Sequence, residues 1–278
     1  MPLDQIDIDK HDSQMSFFEH LETLRWHLFR SFVAISIGAV FCFIFKSFVF
    51  DTLIFGPKKI DFITYQWLCK LSYWLYESDR ICISELKFSV QNITLPGQFL
   101  LHISVSFIAG IILAFPYILY EFWKFIKPAL EKSERKKSRQ FIFWCSVLFV
   151  LGILFGYLIL SPVSINFLSN YSVSAEVKNI PSLKSYINFV VVLTFATGII
   201  FELPVFILLL AKIGLISTTV LKKYRRHALV IILIFASIIT PPDIASQILL
   251  TIPVYICLLY TSDAADEGLG VDLGGRRI

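Results

Sequence analysis

Four stretches of this chain are apolar for longer than a soluble core helix requires: about residues 27–50, 97–123, 141–160 and 188–210. A helix rises about 1.5 Å per residue, so roughly 20 apolar residues cross a hydrocarbon layer about 30 Å thick. Four such segments cannot all be hidden in one soluble core. Composition agrees, because 56% of the 278 residues are hydrophobic and 27 are Phe. Charged residues make up 17%, against roughly 25% in soluble domains. The expected fold class is an all-α polytopic membrane protein.

Two further apolar runs, about 228–240 and 244–259, are too short to span comfortably and flank a tight TPPD turn, Thr240–Asp243. They read as a short hairpin that thins the bilayer or shelters inside the bundle. The count is therefore six transmembrane helices, the last two short. Pro116 is expected to kink the second span. Trp123, Tyr117 and Tyr120 fit an interfacial aromatic belt. The third span is expected to end at Ser161-Pro162. Residues 51–96 form the longest polar loop, and its FITYQWLCKLSYWLY stretch is aromatic and amphipathic, suited to a membrane surface.

Charge distribution sets the expected orientation. Between the second and third spans lies a charged island, Phe125–Gln140, with only Glu131 and Glu134 as acids. Around them stand Lys124, Lys127, Lys132, Arg135, Lys136, Lys137 and Arg139. The segment after the fourth span carries Lys212, Lys222, Lys223, Arg225 and Arg226 and no acid. The other loops are near neutral. The positive-inside rule places both basic segments and both termini in the cytoplasm. Cys69 and Cys82 then face an oxidising compartment, where a disulfide is possible; two unpaired thiols are the alternative.

The first residues are acidic and polar, so no secretory signal is expected. Residues 1–15 read as a disordered extension before the first helical pattern. The tail 255–278 loses periodicity and turns acidic and glycine-rich. It resembles a translated sequencing-adapter artefact and is expected to be non-native. There is no phosphate-binding glycine loop and no Cys/His cluster with metal spacing, so neither cofactor nor metal is expected. The basic loops are better explained by topology and anionic lipid than by nucleic acid. His102, inside the second span, reads as a packing histidine.

Four motifs then stand in order within the six-span layout: HLETLR (His20–Arg25), FIKPALEKSER (Phe125–Arg135), FELPV (Phe201–Val205) and TPPDIASQ (Thr240–Gln247). Together, over residues 16–254, the chain resembles the TatC family, the core membrane subunits of the twin-arginine protein translocase. The resemblance implies a concave, glove-like bundle and a receptor rather than an enzyme. Such a receptor binds twin-arginine signal peptides of folded proteins on the cytoplasmic face of the bacterial inner membrane. It also implies TatA- and TatB-like single-span partners, homo-oligomers within the complex and a proton-motive-force drive. The alternative is a small-molecule secondary transporter or channel subunit, with Glu202 and Pro204 as a midplane ion site.

The resemblance makes Glu134 a carboxylate for a guanidinium, with Phe125 in the same recognition surface. Taken alone, Glu134 reads as a surface acid pairing with Lys137 at i+3, and the family match reverses that reading. The family pattern HLxELR has a glutamate where this chain has Thr23. Glu19 or Glu22 is the candidate replacement, although Glu22 also has Arg25 at i+3 for an ordinary pair. Glu202 is an intramembrane acid, costly and functional by default, with a protonated, hydrogen-bonded form as the alternative. Asp243 and Gln247 are the candidate contacts for a partner helix, with an N-cap as the ordinary reading of Asp243. Pro57 matches a family proline in the first external loop.

Overall fold

The computed structural model describes residues 17–76, 82, 88–126, 138–174, 176, 179–212, 225–240 and 243–273. It is a bundle of helices with only an isolated bridge, Gln91 to Ser182, among the described residues. Helix α1 (Phe17–Ile44) leads into a wide π turn, Phe48–Ile54, and a 3-10 turn, Gly56–Lys58. Helix α2 (Ile63–Tyr76) follows, then α3 (Gly97–Ile126). Helix α4 (Ser138–Phe155) passes through a second π turn, Gly156–Leu160, into α5 (Ser161–Asn170). Helix α6 (Leu183–Lys212), α7 (Arg225–Ile239) and α8 (Ile244–Leu273) complete the chain.

Four helical stretches are long and apolar enough to cross a membrane among the described residues: Leu21–Ile44, Gly97–Ile126, Phe141–Asn170 and Leu183–Ala211. His227–Ile239 and Ile244–Tyr260 are the shorter apolar helices. These six make a concave, glove-like all-α bundle. Large apolar side chains such as Leu28, Phe41, Ile103 and Ile238 stay exposed, as expected where lipid tails rather than water are the surroundings.

Four boundaries differ from those read in the sequence. The first span's α-helix ends at Ile44 and the chain continues as a π turn. Ser161-Pro162 does not end the third helix. Pro162 stands at the first positions of α5, where its missing N–H is no loss. The π turn before it keeps the rod continuous. The fourth helix begins at Leu183, before Asn188. At the other end of the chain, α8 runs on to Leu273.

Close backbone approach governs the α1–α3 pair. A Cβ on Gly110 would lie 2.6 Å from the Ala39 nitrogen and 2.8 Å from the Ile35 carbonyl oxygen. A Cβ on Gly38, at the same crossing, would lie 3.0 Å from the Gly110 oxygen. Small residues let transmembrane backbones touch, which is what dispersion-driven packing needs in lipid. One core cluster joins Leu101, Val105, Tyr186 and Ile187 at one end of the bundle. A second joins Leu193, Ile200, Ile232, Leu250 and Val254 and holds the short hairpin against α6.

Trp123 does not belong to the aromatic belt. It is 7% exposed, packed on Phe141 with ring centroids 4.5 Å apart and on Leu209. Tyr117 and Tyr120, in contrast, are exposed.

Helix α2 is the aromatic amphipathic segment. Trp67 and Trp74 are exposed, while Tyr65 is buried and its hydroxyl donates to the Pro57 carbonyl at 2.7 Å. Burial pushes the Tyr65 phenol up from its ordinary pKa. A Cys69–Cys82 disulfide ties α2 to the segment after it.

Candidate functional site

The motif-bearing ends of α1 and α3 meet at a buried carboxylate. Glu121 is 3% exposed and sits four residues before Phe125 on α3. Nδ1 of His27, on α1, donates to Glu121 Oε2. Arg30 stands 4.0 Å from the same oxygen with its side chain half exposed, and Tyr117 also bonds the carboxyl. The Phe125 ring lies edge-on to His27, centroids 6.3 Å apart. His27 is one helical turn beyond the half-buried Thr23, so Thr23, His27, Glu121 and Phe125 share one interhelical seam.

This arrangement has a physical reason. A carboxylate buried in an apolar seam is costly unless it is paired and hydrogen-bonded. The imidazole and guanidinium of α1 provide that pairing. Neither His27 nor Glu121 stood among the residues singled out by sequence. The signal was available, since both are titratable groups inside apolar spans. Glu121 is easily passed over because it lies near the helix end, where charges are ordinary.

Among the residues singled out by sequence, Glu22 and Arg25 form an exposed pair at 3.8 Å. The Arg25 guanidinium also lies 5.7 Å from the Trp26 ring centroid. Glu134 and the side chain of Glu19 lie outside the described residues.

Glu202 is brought to a different place. It lines a cavity of about 190 Å³ between α3, α4 and α6, otherwise walled by aromatic and aliphatic groups such as Phe115, Phe122, Val205 and Leu209. Its Oε1 is buried and makes no hydrogen bond, while the Cys145 thiol is within bonding reach of the carboxyl. Pro204, two residues on, is fully buried.

Asp243 accepts the Ser246 backbone N–H at 2.7 Å, which is N-capping of α8. Gln247 donates its side-chain amide to the Leu233 carbonyl at 3.2 Å, joining α8 to α7. Ser164 and Ser246 hydroxyls bond at 2.8 Å and join α5 to α8. Pro57 is fully buried in the 3-10 turn and receives the Tyr65 hydroxyl. No group of three or more His, Cys, Asp or Glu side chains suited to a metal occurs among the described residues.

The family model "Sec-independent protein translocase protein (TatC)" matches residues 19–253. A TatC protein of Blattabacterium sp. from Periplaneta americana is 45% identical over 250 residues, covering 90% of this chain and 94% of the relative. The TatC protein of Desulforapulum autotrophicum is 32% identical over 249 residues, covering 90% and 83%. The "Crystal Structure of Twin Arginine Translocase Receptor- TatC in DDM" superposes with a TM-score of 0.67 at 30% identity, covering 89% of this chain and 99% of that one. With its helical bundle, its motif order and these likenesses, the chain belongs to the TatC family of Sec-independent protein translocase proteins.

Proposed function

We propose that this protein is the signal-peptide receptor of a twin-arginine translocase in a bacterial cytoplasmic membrane, with both termini and both basic segments in the cytoplasm. The observation that carries the reading is the seam where Phe125 meets His27 beside the buried Glu121. It joins the helix bearing HLETLR to the helix leading into FIKPALEKSER at one end of the bundle. A twin-arginine peptide needs carboxylates, because guanidinium pairs bidentately with them. Glu134 takes one arginine beside Phe125. Glu121 is already committed to His27, so it holds the two helices rather than the ligand. At Thr23 the family carboxylate is absent, and Glu19 or Glu22 replaces it; Glu22 is exposed and only loosely paired.

Single-span TatA- and TatB-like partners dock along α7 and α8, with further copies of this chain in the complex, and the proton-motive force drives export. Exposed Ile234, Ile238, Ile248 and Ile252 offer an apolar face there. Translocation of folded cargo is a binding and assembly function, with no chemical step assigned to the chain.

A photoreactive amino acid at position 125 tests the reading. It should capture a twin-arginine peptide and lose that capture when the peptide's two arginines become lysines. Transport of a small solute by the purified protein in liposomes, with no peptide capture, would favour a transporter instead. Charge reversal by Glu19→Lys and Glu22→Lys separately decides the replacement carboxylate, since unchanged binding in both variants rejects it.

A further inference from the structure

At the end of the bundle opposite the charged island, α1, α3 and α6 leave a second cavity, of about 530 Å³. Its polar lining comes from Lys46, Ser47, Asp51, Gln98 and His102. Each element contributes from the edge of its apolar stretch. Lys46 follows the first span, which closes at Ile44. Gln98 and His102 stand in the first two turns of α3, and Leu183 opens α6. The cavity therefore lies at the level of lipid head groups rather than of hydrocarbon.

Lys46 stands two residues before the π turn and Asp51 lies within it; both reach the cavity, so a cation and an anion share one wall. Both are exposed, and neither forms an ion pair with its partner or with any other described residue. Lys59, the neighbouring cation, spends its Nζ on the Asp51 backbone carbonyl at 3.0 Å.

His102 is held in place and cannot swing in to neutralise either charge. Its ring stacks on Phe43 at 3.9 Å and meets the Phe50 edge at 5.5 Å. Its Nε2 donates to the Phe43 carbonyl at 3.1 Å, and in that Nε2–H tautomer Nδ1 is an acceptor. Phe99 is 63% exposed and borders the same opening.

A ligand for such a wall must carry both signs. A simple anion meets Asp51, and a simple cation meets Lys46. We propose that this cavity binds the head group of a zwitterionic aminophospholipid. The phosphodiester lies on Lys46 and the primary ammonium on Asp51, with the His102 and Gln98 acceptors beside it and an acyl chain along Phe99. The site does not depend on the signal-peptide reading.

Native mass spectrometry of the full-length protein, released from nanodiscs with equal phosphatidylethanolamine, phosphatidylglycerol and phosphatidylcholine, reads the retained lipid. Phosphatidylethanolamine should be kept roughly tenfold over phosphatidylglycerol, with phosphatidylcholine between them because its ammonium has no N–H to donate. Asp51→Asn should shift the preference to phosphatidylglycerol, and Lys46→Gln should lower retention of all three. Both changes are at exposed side chains, and an unchanged thermal unfolding midpoint shows that the fold is kept. Retention independent of head group, or a wild-type preference for phosphatidylglycerol that Asp51→Asn leaves unaltered, overturns the proposal. Displacement of all lipid by a single-span partner helix, crosslinked at position 99, overturns it as well.

Discussion

Replacing His27 with leucine leaves the Glu121 carboxylate, 3% exposed, without its main donor. Arg30 does not take over, since it stands at 4.0 Å and is half in solvent, and such pairs are worth about 0–1 kcal/mol. Breaking a buried pair by removing one partner costs about 3–5 kcal/mol. At about 1.4 kcal/mol per factor of ten, the folding equilibrium falls by at least a hundredfold. Glu121→Leu strands the imidazole and is milder, because a neutral ring tolerates burial, so about 2 kcal/mol is expected. The double variant His27→Leu/Glu121→Leu replaces the pair with apolar groups of similar volume, and such swaps are near neutral or stabilising. The double variant should thus lie well above the sum of the singles, with a coupling of at least about 1.5 kcal/mol. Equilibrium unfolding of the full chain in mixed micelles, by titration with a denaturing detergent, measures all four species. A coupling under about 0.5 kcal/mol would show the two side chains to be independent and remove the energetic basis for the α1–α3 seam.

Gly110→Leu drives a side chain into the α1 backbone, where even a Cβ stands 2.6 Å from Ala39. Destabilisation of about 3 kcal/mol or more is expected from such overpacking, and wild-type-like unfolding would contradict the close crossing. Cys69→Ser/Cys82→Ser opens a loop with a sequence separation of 13. It should cost about 3 kcal/mol locally, read as faster protease nicking after α2 with the rest of the chain unaffected. Tyr65→Phe strands the Pro57 carbonyl and should cost about 1 kcal/mol, read in the same nicking assay. Burial raises the Tyr65 pKa, so its contribution is full below about pH 10, the unfolded value, and is lost as pH rises through the folded one. Alkaline loosening of α2 should therefore be absent in Tyr65→Phe.

The membrane class, the six apolar helices and the motif order were legible because length and hydropathy are local properties. Asp243 as the cap of α8 was legible for the same reason, since a cap reaches only three residues onward. The partner of Gln247 was not. Its side chain was read as a contact for a partner helix; within the chain its amide bonds Leu233, a contact that exists only once the hairpin has closed. Trp123 was assigned to a belt by residue type, while α4 and α6 cover it.

What the sequence determined by itself is the set of spans, because transfer of an apolar helix into lipid depends on the segment alone. Continuity through Ser161-Pro162 was decided by tertiary structure. Gly156, in the π turn before that pair, packs where a Cβ would stand 2.9 Å from Thr197 on α6. Tertiary structure also chose which acid is buried. Glu22 and Glu121 look alike in composition, but only Glu121 lies where α1 presents an imidazole to it. Pairing across 94 residues of chain is a property of how two helices cross, and the Gly38–Gly110 approach sets that crossing.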